Sequence, residues 1–259
     1  MVKGLNLFRE RFAPFERHFV LIGGTACFEW FATQDLQFRS TKDIDMVVLI
    51  EAIDRPFVSA LRTFLEEGGY QKKERSDGSP VLYRFHKPED ARFPAMIELF
   101  SRSAEGLELT NVQEIVPIPV GENPHSLSAI LLDDAYYALI QEHQHLIEGL
   151  RFVTATALIP LKANAWLDLT ARLQRGESVS TSDIDKHRND VFRLAATLPE
   201  VPAPQLPGSV LADLARFLEA FPVSTPAWPH IRMAMGSTLG RTATPDSLLA
   251  AIRTFFRLS

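Results

Sequence analysis

The spacing of hydrophobic and polar positions changes character near the middle of the chain. In the first half, short apolar runs alternate with segments of helical period. His18 to Ile22 (HFVLI) is a compact apolar run ending at Gly23-Gly24, which predicts a buried strand. Thr25 to Thr33 predicts a helix, and Asp43 to Ile50 (DIDMVVLI) a strand rich in Val and Ile. From Arg55 to Glu67, apolar Phe57, Ala60, Leu61, Phe64 and Leu65 recur at helical spacing, and Gly68-Gly69 ends the pattern. Val81 to Phe85 and Ala95 to Phe100 predict further strands. Val112 to Val120 predicts an edge strand, because Pro117 and Pro119 lack the N–H that a central ladder needs. Met1 to Glu16, with charges scattered among Phe and Leu, predicts an amphipathic helix.

Beyond Asp133 the period is helical almost throughout. Ala135 to Leu150, Pro160 to Gln174, Ser182 to Thr197, Ser209 to Ala220 and Pro245 to Leu258 carry apolar residues at steps of three and four. Ser182-Asp183 and Thr244-Pro245-Asp246 read as helix starts, and Pro199 to Pro207 as a proline-rich connector. The expected class is α/β (α+β), with a sheet-bearing domain over residues 1–125 and a helical domain over residues 126–259.

Composition narrows the function. The 259 residues are 46% hydrophobic and 23% charged, which excludes disordered and collagen-like classes. The single cysteine, Cys27, excludes an internal disulfide and a thiolate zinc cluster, and its apolar helix face makes it a core residue. A net charge of −5 gives no basic arm for binding nucleic acid by bulk charge, although a local basic groove is compatible with it. With no signal-peptide core and no run of about 18 apolar residues, no membrane association is expected and the expected compartment is the cytoplasm. His143-Gln144-His145, on an expected helix, places its histidines on different faces and does not suggest a metal site.

The stretch Ile22 to Val48 carries the chemistry. A strand delivers Gly23-Gly24 to a helix N-terminus, where free N–H groups attract phosphate, and Thr25 adds a hydroxyl. Asp43 and Asp45 flank Ile44 on a strand and therefore share a face. Two carboxylates on one face are costly unless solvated or bridged by a cation, and magnesium prefers such oxygens. Two solvated aspartates at a strand end would leave the same trace. Glu98, alone in the apolar run Met96 to Phe100, emerges on the face opposite Ile97 and Leu99, as a metal ligand, a base or one half of a strand ion pair.

Gly23-Gly24-Thr25, Arg39-Ser40-Thr41-Lys42-Asp43-Ile44-Asp45 and Glu98 together resemble the polymerase-beta-like nucleotidyltransferase superfamily. The nearer resemblance is to its AbiEii-type branch, the nucleotidyltransferase toxins of toxin–antitoxin and phage-defence systems. Lys162 in Leu158 to Ala163 matches that branch's helical lysine, and Lys186 to Val191 its later basic-x-x-x-Asp pattern, which ends on Asp190. The resemblance spans roughly residues 18 to 195. It departs in the eighteen residues between Gly24 and Asp43, a longer interval than usual, and in having Glu rather than Asp as third acid.

The resemblance implies a nucleotidyltransferase-fold mixed sheet with flanking helices. It implies transfer of a nucleoside monophosphate from a nucleoside triphosphate to an acceptor hydroxyl on tRNA, other RNA or protein, with a cognate antitoxin among the partners. Asp43, Asp45 and Glu98 would hold two magnesium ions, with Glu98 completing the nucleophile-side one. Gly23, Gly24 and Thr25 would hold phosphates, Arg39 would steer them or pair with Asp35 or Glu29, Lys162 would reach the triphosphate, and Asp190 would position Lys162 or the nucleotide, or complete a structural ion pair. A small-molecule adenylyltransferase of the aminoglycoside-modifying kind uses the same acids, and a non-catalytic nucleotide- or partner-binding relative would retain the fold.

Overall fold

The computed structural model describes residues 2–74, 80–102, 115–117 and 128–258. The chain divides into two compact units, Met1–Thr154 and Ala155–Ser259.

The first unit runs α1 (Leu5–Phe12), a 3-10 turn (Ala13–Phe15), β1 (Phe19–Ile22), α2 (Gly23–Ala32), β2 (Asp43–Val48), α3 (Arg55–Glu67), β3 (Gln71–Glu74), β4 (Pro80–His86) and β5 (Met96–Ser101). It continues through β6 (Ile115–Pro117), β7 (Ser128–Leu131), α4 (Asp134–Glu142), β8 (Gln144–Ile147) and β9 (Leu150–Val153). These strands form one mixed sheet with the order β3-β4-β5-β2-β1-β9-β8. β5 has its first half paired with β4 and its last two residues paired with β7, so the sheet forks there and β6 extends the branch. β1 lies between β2 and β9, and all four of its residues are buried, which is why it reads as unbroken apolar sequence.

Strand alternation divides the sheet into two faces. Register places Leu21 beside Met46, Ile44 beside Ile97 and Met46 beside Leu99, and all five are fully buried. On that side Phe19 meets Phe8, Phe12 and Phe57 at ring-centroid distances of 5.6, 6.0 and 6.3 Å. Each such buried side chain contributes about 1.5–3 kcal/mol. This layer explains the phenylalanine spacing of α1 and α3, and it leaves the opposite face to the polar residues of β2 and β5. α3 starts where Asp54 accepts a hydrogen bond from the Phe57 N–H, 2.9 Å away.

Two expectations need correction. Residues Ala135 to Leu150 are not one helix: α4 ends at Glu142, and Gln144–Val153 forms the β8–β9 hairpin. Its two-residue turn uses Glu148 and Gly149, both at positive φ (47° and 77°), the backbone that a tight hairpin favours. Because β9 pairs with β1, the sheet-bearing unit reaches Thr154 rather than ending near residue 125. The hairpin also removes the helix on which His143 and His145 were expected: His143 caps α4 and His145 lies on β8. Of the Val112 to Val120 run, only β6 lies within the described residues.

The second unit contains α5 (Ala155–Gln174), α6 (Thr181–Ala195), α7 (Gly208–Glu219), α8 (Trp228–Ala234), α9 (Gly236–Thr242) and α10 (Pro245–Phe256). α5 begins five residues before Pro160, so this proline lies inside the helix and removes the bond its N–H would make to Thr156. α6 starts at Thr181, with Ser180 at its N-cap, rather than at Ser182. Trp166 packs edge-on to Phe217 and Phe221 at 5.3 and 5.0 Å, and Phe192 meets Trp228 at 4.7 Å. Thr244 and Ser247 form a reciprocal capping box at the start of α10, as the Thr-Pro-Asp signal predicts. No helix among the described residues is long and apolar enough to cross a membrane.

Candidate active site

β1 ends on Ile22 and α2 begins at Gly23, whose φ of +67° only glycine adopts without strain. A Cβ built on Gly23 would lie 1.8 Å from Oδ2 of Asp45, so that carboxylate already occupies the side-chain volume. A Cβ on Gly24 would lie 2.6 Å from Oγ1 of Thr41 and 3.7 Å from a terminal nitrogen of Arg39. Gly23 is thus favoured by both the turn and the close approach, and Gly24 by close approach alone.

The segment Arg39 to Asp45 meets the start of α2 at every second residue. Arg39 and Thr41 lie against Gly24, the Asp43 carbonyl accepts the Thr25 hydroxyl at 2.7 Å, and the Asp45 carboxylate stands at Gly23. Asp43 and Asp45 share a face by strand alternation, whereas Arg39 and Thr41 precede β2 and reach Gly24 from the connecting segment. Thr41 was not singled out from the sequence. Thr25 is fully buried and its hydroxyl hydrogen is taken by that carbonyl, so its side chain ties α2 to β2. This differs from the expected phosphate-holding hydroxyl. Arg39 lies over the Phe38 ring at 5.1 Å. Of its two expected carboxylate partners, Glu29 pairs instead with Arg9 at 3.3 Å.

The three acids occupy one face. β2 and β5 run parallel with Asp45 opposite Glu98 and Asp43 opposite Met96, and β1 brings Ile22 opposite Asp45. Two residues along a strand, Asp43 and Asp45 are about 6.6 Å apart by strand rise, a repulsion of about 2–3 kcal/mol at an effective dielectric constant of about 20. A dication shared with a substrate phosphate would reverse its sign.

Glu98 is only 7% exposed and has a protein partner. Arg84, its register neighbour on β4, donates from Nε to Oε1 at 2.7 Å and from Nη2 to the same oxygen. Arg84 was also missed in the sequence, where nothing marks it as the cross-strand neighbour of Glu98. Among the described residues no three His, Cys, Asp or Glu side chains converge as a metal-holding group. Magnesium is commonly held by one or two carboxylates and completed by water and substrate phosphate. Asp43 and Asp45 fit that donor set, and Glu98 gives one oxygen, Oε1, to Arg84.

α2 is anchored at its far end through Glu29. Burial pushes this carboxyl above its ordinary range, with Arg9 opposing and Glu148 adding to the rise. The folded protein therefore holds this proton more tightly than the unfolded chain does. The stability this gives is present below the ordinary carboxyl pKa and is lost as pH rises through the raised value. Glu29→Gln is expected to melt a few degrees above the wild type at pH 7, with the difference closing toward about pH 4. A lower melting temperature at pH 7 would contradict this.

In the second unit, Lys162 and Asp190, both expected from the resemblance, come together. Lys162 Nζ lies 3.3 Å from Asp190 Oδ2, and Arg193 lies 3.2 Å from Oδ1. Asp190 is fully buried and Lys162 is 4% exposed, so each charge requires the other. Arg193 also donates to the Ala234 carbonyl, tying α6 to the end of α8.

No protein-family model matches this chain, and no curated protein matches it.

Proposed function

We propose that the sheet-bearing unit is a magnesium-dependent nucleotidyltransferase, which moves a nucleoside monophosphate from a nucleoside triphosphate to an acceptor hydroxyl. One observation supports this most: the Asp45 carboxylate stands against Gly23 at the N-terminus of α2. A carboxylate that suits a dication thus adjoins backbone N–H groups that suit phosphate. One triphosphate can meet both.

In this reading the free N–H groups of α2 and the Arg39 guanidinium hold the terminal phosphates, and the diglycine bend lets them approach the backbone closely. Asp43 and Asp45 would hold magnesium, which when bound supplies charge stabilisation at the phosphoryl oxygens. The acceptor oxygen attacks the α-phosphorus in line, its proton passes to solvent water, and the bond to the departing pyrophosphate breaks. Thr25 fixes the spacing between α2 and β2, so the two halves of the site move as one. Glu98 adjoins Asp45 on the attacking side. The AbiEii-type resemblance makes RNA, above all a tRNA end, or a protein hydroxyl the acceptor, and suggests a toxin role with a cognate antitoxin.

The test is label transfer. The protein with magnesium and each α-labelled triphosphate is expected to label total tRNA or a protein acceptor. Absence of label from RNA, protein and aminoglycoside acceptors alike would contradict the reading.

A further inference from the structure

We infer that Arg84 is a positioning residue for the proposed transfer: by holding one oxygen of Glu98 it presents the other, Oε2, to the acceptor hydroxyl. The inference rests on the proposed nucleotidyltransferase reading and adds to it a residue outside the resemblance.

Register sets the geometry. Arg84 on β4, Glu98 on β5 and Asp45 on β2 are successive cross-strand neighbours, so the three rise from one face in a single row. Glu98 stands in the middle of that row, with Arg84 on one side and Asp45 on the other. Arg84 donates from Nε to Oε1 of Glu98 at 2.7 Å, and its Nη2 donates to the same oxygen. Neither donor reaches Oε2, which has no hydrogen-bond partner among the described residues. With Oε1 drawn toward β4, Oε2 is the oxygen left for the β2 side, where the proposed chemistry takes place.

Glu98 would not keep that orientation unaided. A glutamate has three rotatable side-chain bonds, and it gives up their freedom only where its end is held. The guanidinium is planar and sends its N–H groups out in fixed directions, so two of them meeting on one oxygen fix its place more closely than a point charge would. The Glu98 side chain is 10% exposed, so water competes little for the held oxygen. An acceptor hydroxyl is oriented by an oxygen within hydrogen-bond reach, and a misplacement of about 1 Å can cost about a hundredfold in rate. Arg84 lies two strands from β2 and three from β1, which leads to the Gly23 bend, so its effect should fall on the acceptor step and spare triphosphate binding.

Label-transfer kinetics on the wild type, Arg84→Met, Glu98→Gln and the double variant test this. Circular dichroism gives the folded fraction, and kcat is taken per folded molecule. Arg84→Met is expected to lower kcat about ten- to a hundredfold with the KM for the triphosphate unchanged. Arg84→Lys should recover part of that loss, because an ammonium keeps the charge without the fork. In the Glu98→Gln background Arg84→Met should cost nothing further, because residues acting through one contact are not additive. Wild-type kcat in folded Arg84→Met would overturn the inference while sparing the nucleotidyltransferase reading. So would a loss that adds in full to that of Glu98→Gln, or a raised KM with kcat intact. A wild type that transfers no label to RNA, protein or aminoglycoside would instead defeat the reading beneath it.

Discussion

Asp45→Asn is expected to lower nucleotidyl transfer by about a hundred- to a thousand-fold, the usual loss when one preorganised electrostatic contact to a transition state is removed. The substitution keeps the shape of the side chain that fills the space over Gly23, so the packing at the bend is retained. What it removes is one of the two negative charges that share the face of β2. The loss should fall on kcat and on magnesium dependence, with far-UV circular dichroism showing the fold retained. Asp43→Asn should behave alike, because alternation gives both residues the same face. Labelling equal to that of the wild type would contradict the assignment of the aspartate pair.

Gly23→Ala should remove triphosphate binding and destabilise the protein. A left-handed backbone costs a non-glycine residue about 1–2 kcal/mol. The added methyl would also enter the Asp45 carboxylate, 1.8 Å from Oδ2, so that side chain must rotate away. The same atom group then disturbs both the helix N-terminus and the metal-holding acid. Gly24→Ala meets the Thr41 hydroxyl at 2.6 Å with no positive φ, and should therefore cost less stability. Calorimetric titration of a non-hydrolysable triphosphate, together with a thermal melt, separates these outcomes. Wild-type affinity in Gly23→Ala would contradict the placement of phosphate at the bend.

Much of this arrangement was legible in the sequence for identifiable reasons. The β2 pattern of Asp43 and Asp45 around Ile44 depends only on local alternation, as does the emergence of Glu98 between Ile97 and Leu99. The phenylalanine period of α3 is local too, and its span Arg55–Glu67 matches the expectation. Cross-strand pairing was not legible. Arg84 and Glu98 become neighbours only through the antiparallel register of β4 and β5, which the connecting residues 87–95 do not reveal. The β8–β9 hairpin was hidden for another reason. Leu146, Ile147 and Leu150 lie at steps that also fit a helix, and only the Glu148-Gly149 turn betrays the reversal. Reading through it moved the domain boundary by almost thirty residues and concealed the strand that covers the outer edge of β1. The long interval between Gly24 and Asp43 is accommodated without loss of register: α2 runs to Ala32, a turn follows, and Arg39 and Thr41 return to Gly24.

The claim that one triphosphate is shared between the diglycine bend and the aspartate pair is tested most directly by a crystal structure. The protein would be grown with manganese and a non-hydrolysable triphosphate, and the metal located by its anomalous signal. The account predicts manganese bound by Asp43 and Asp45 at about 2.0–2.3 Å, with the phosphates on the backbone N–H groups that follow Gly23. A triphosphate bound elsewhere, or at the bend with no metal touching either aspartate, would contradict it.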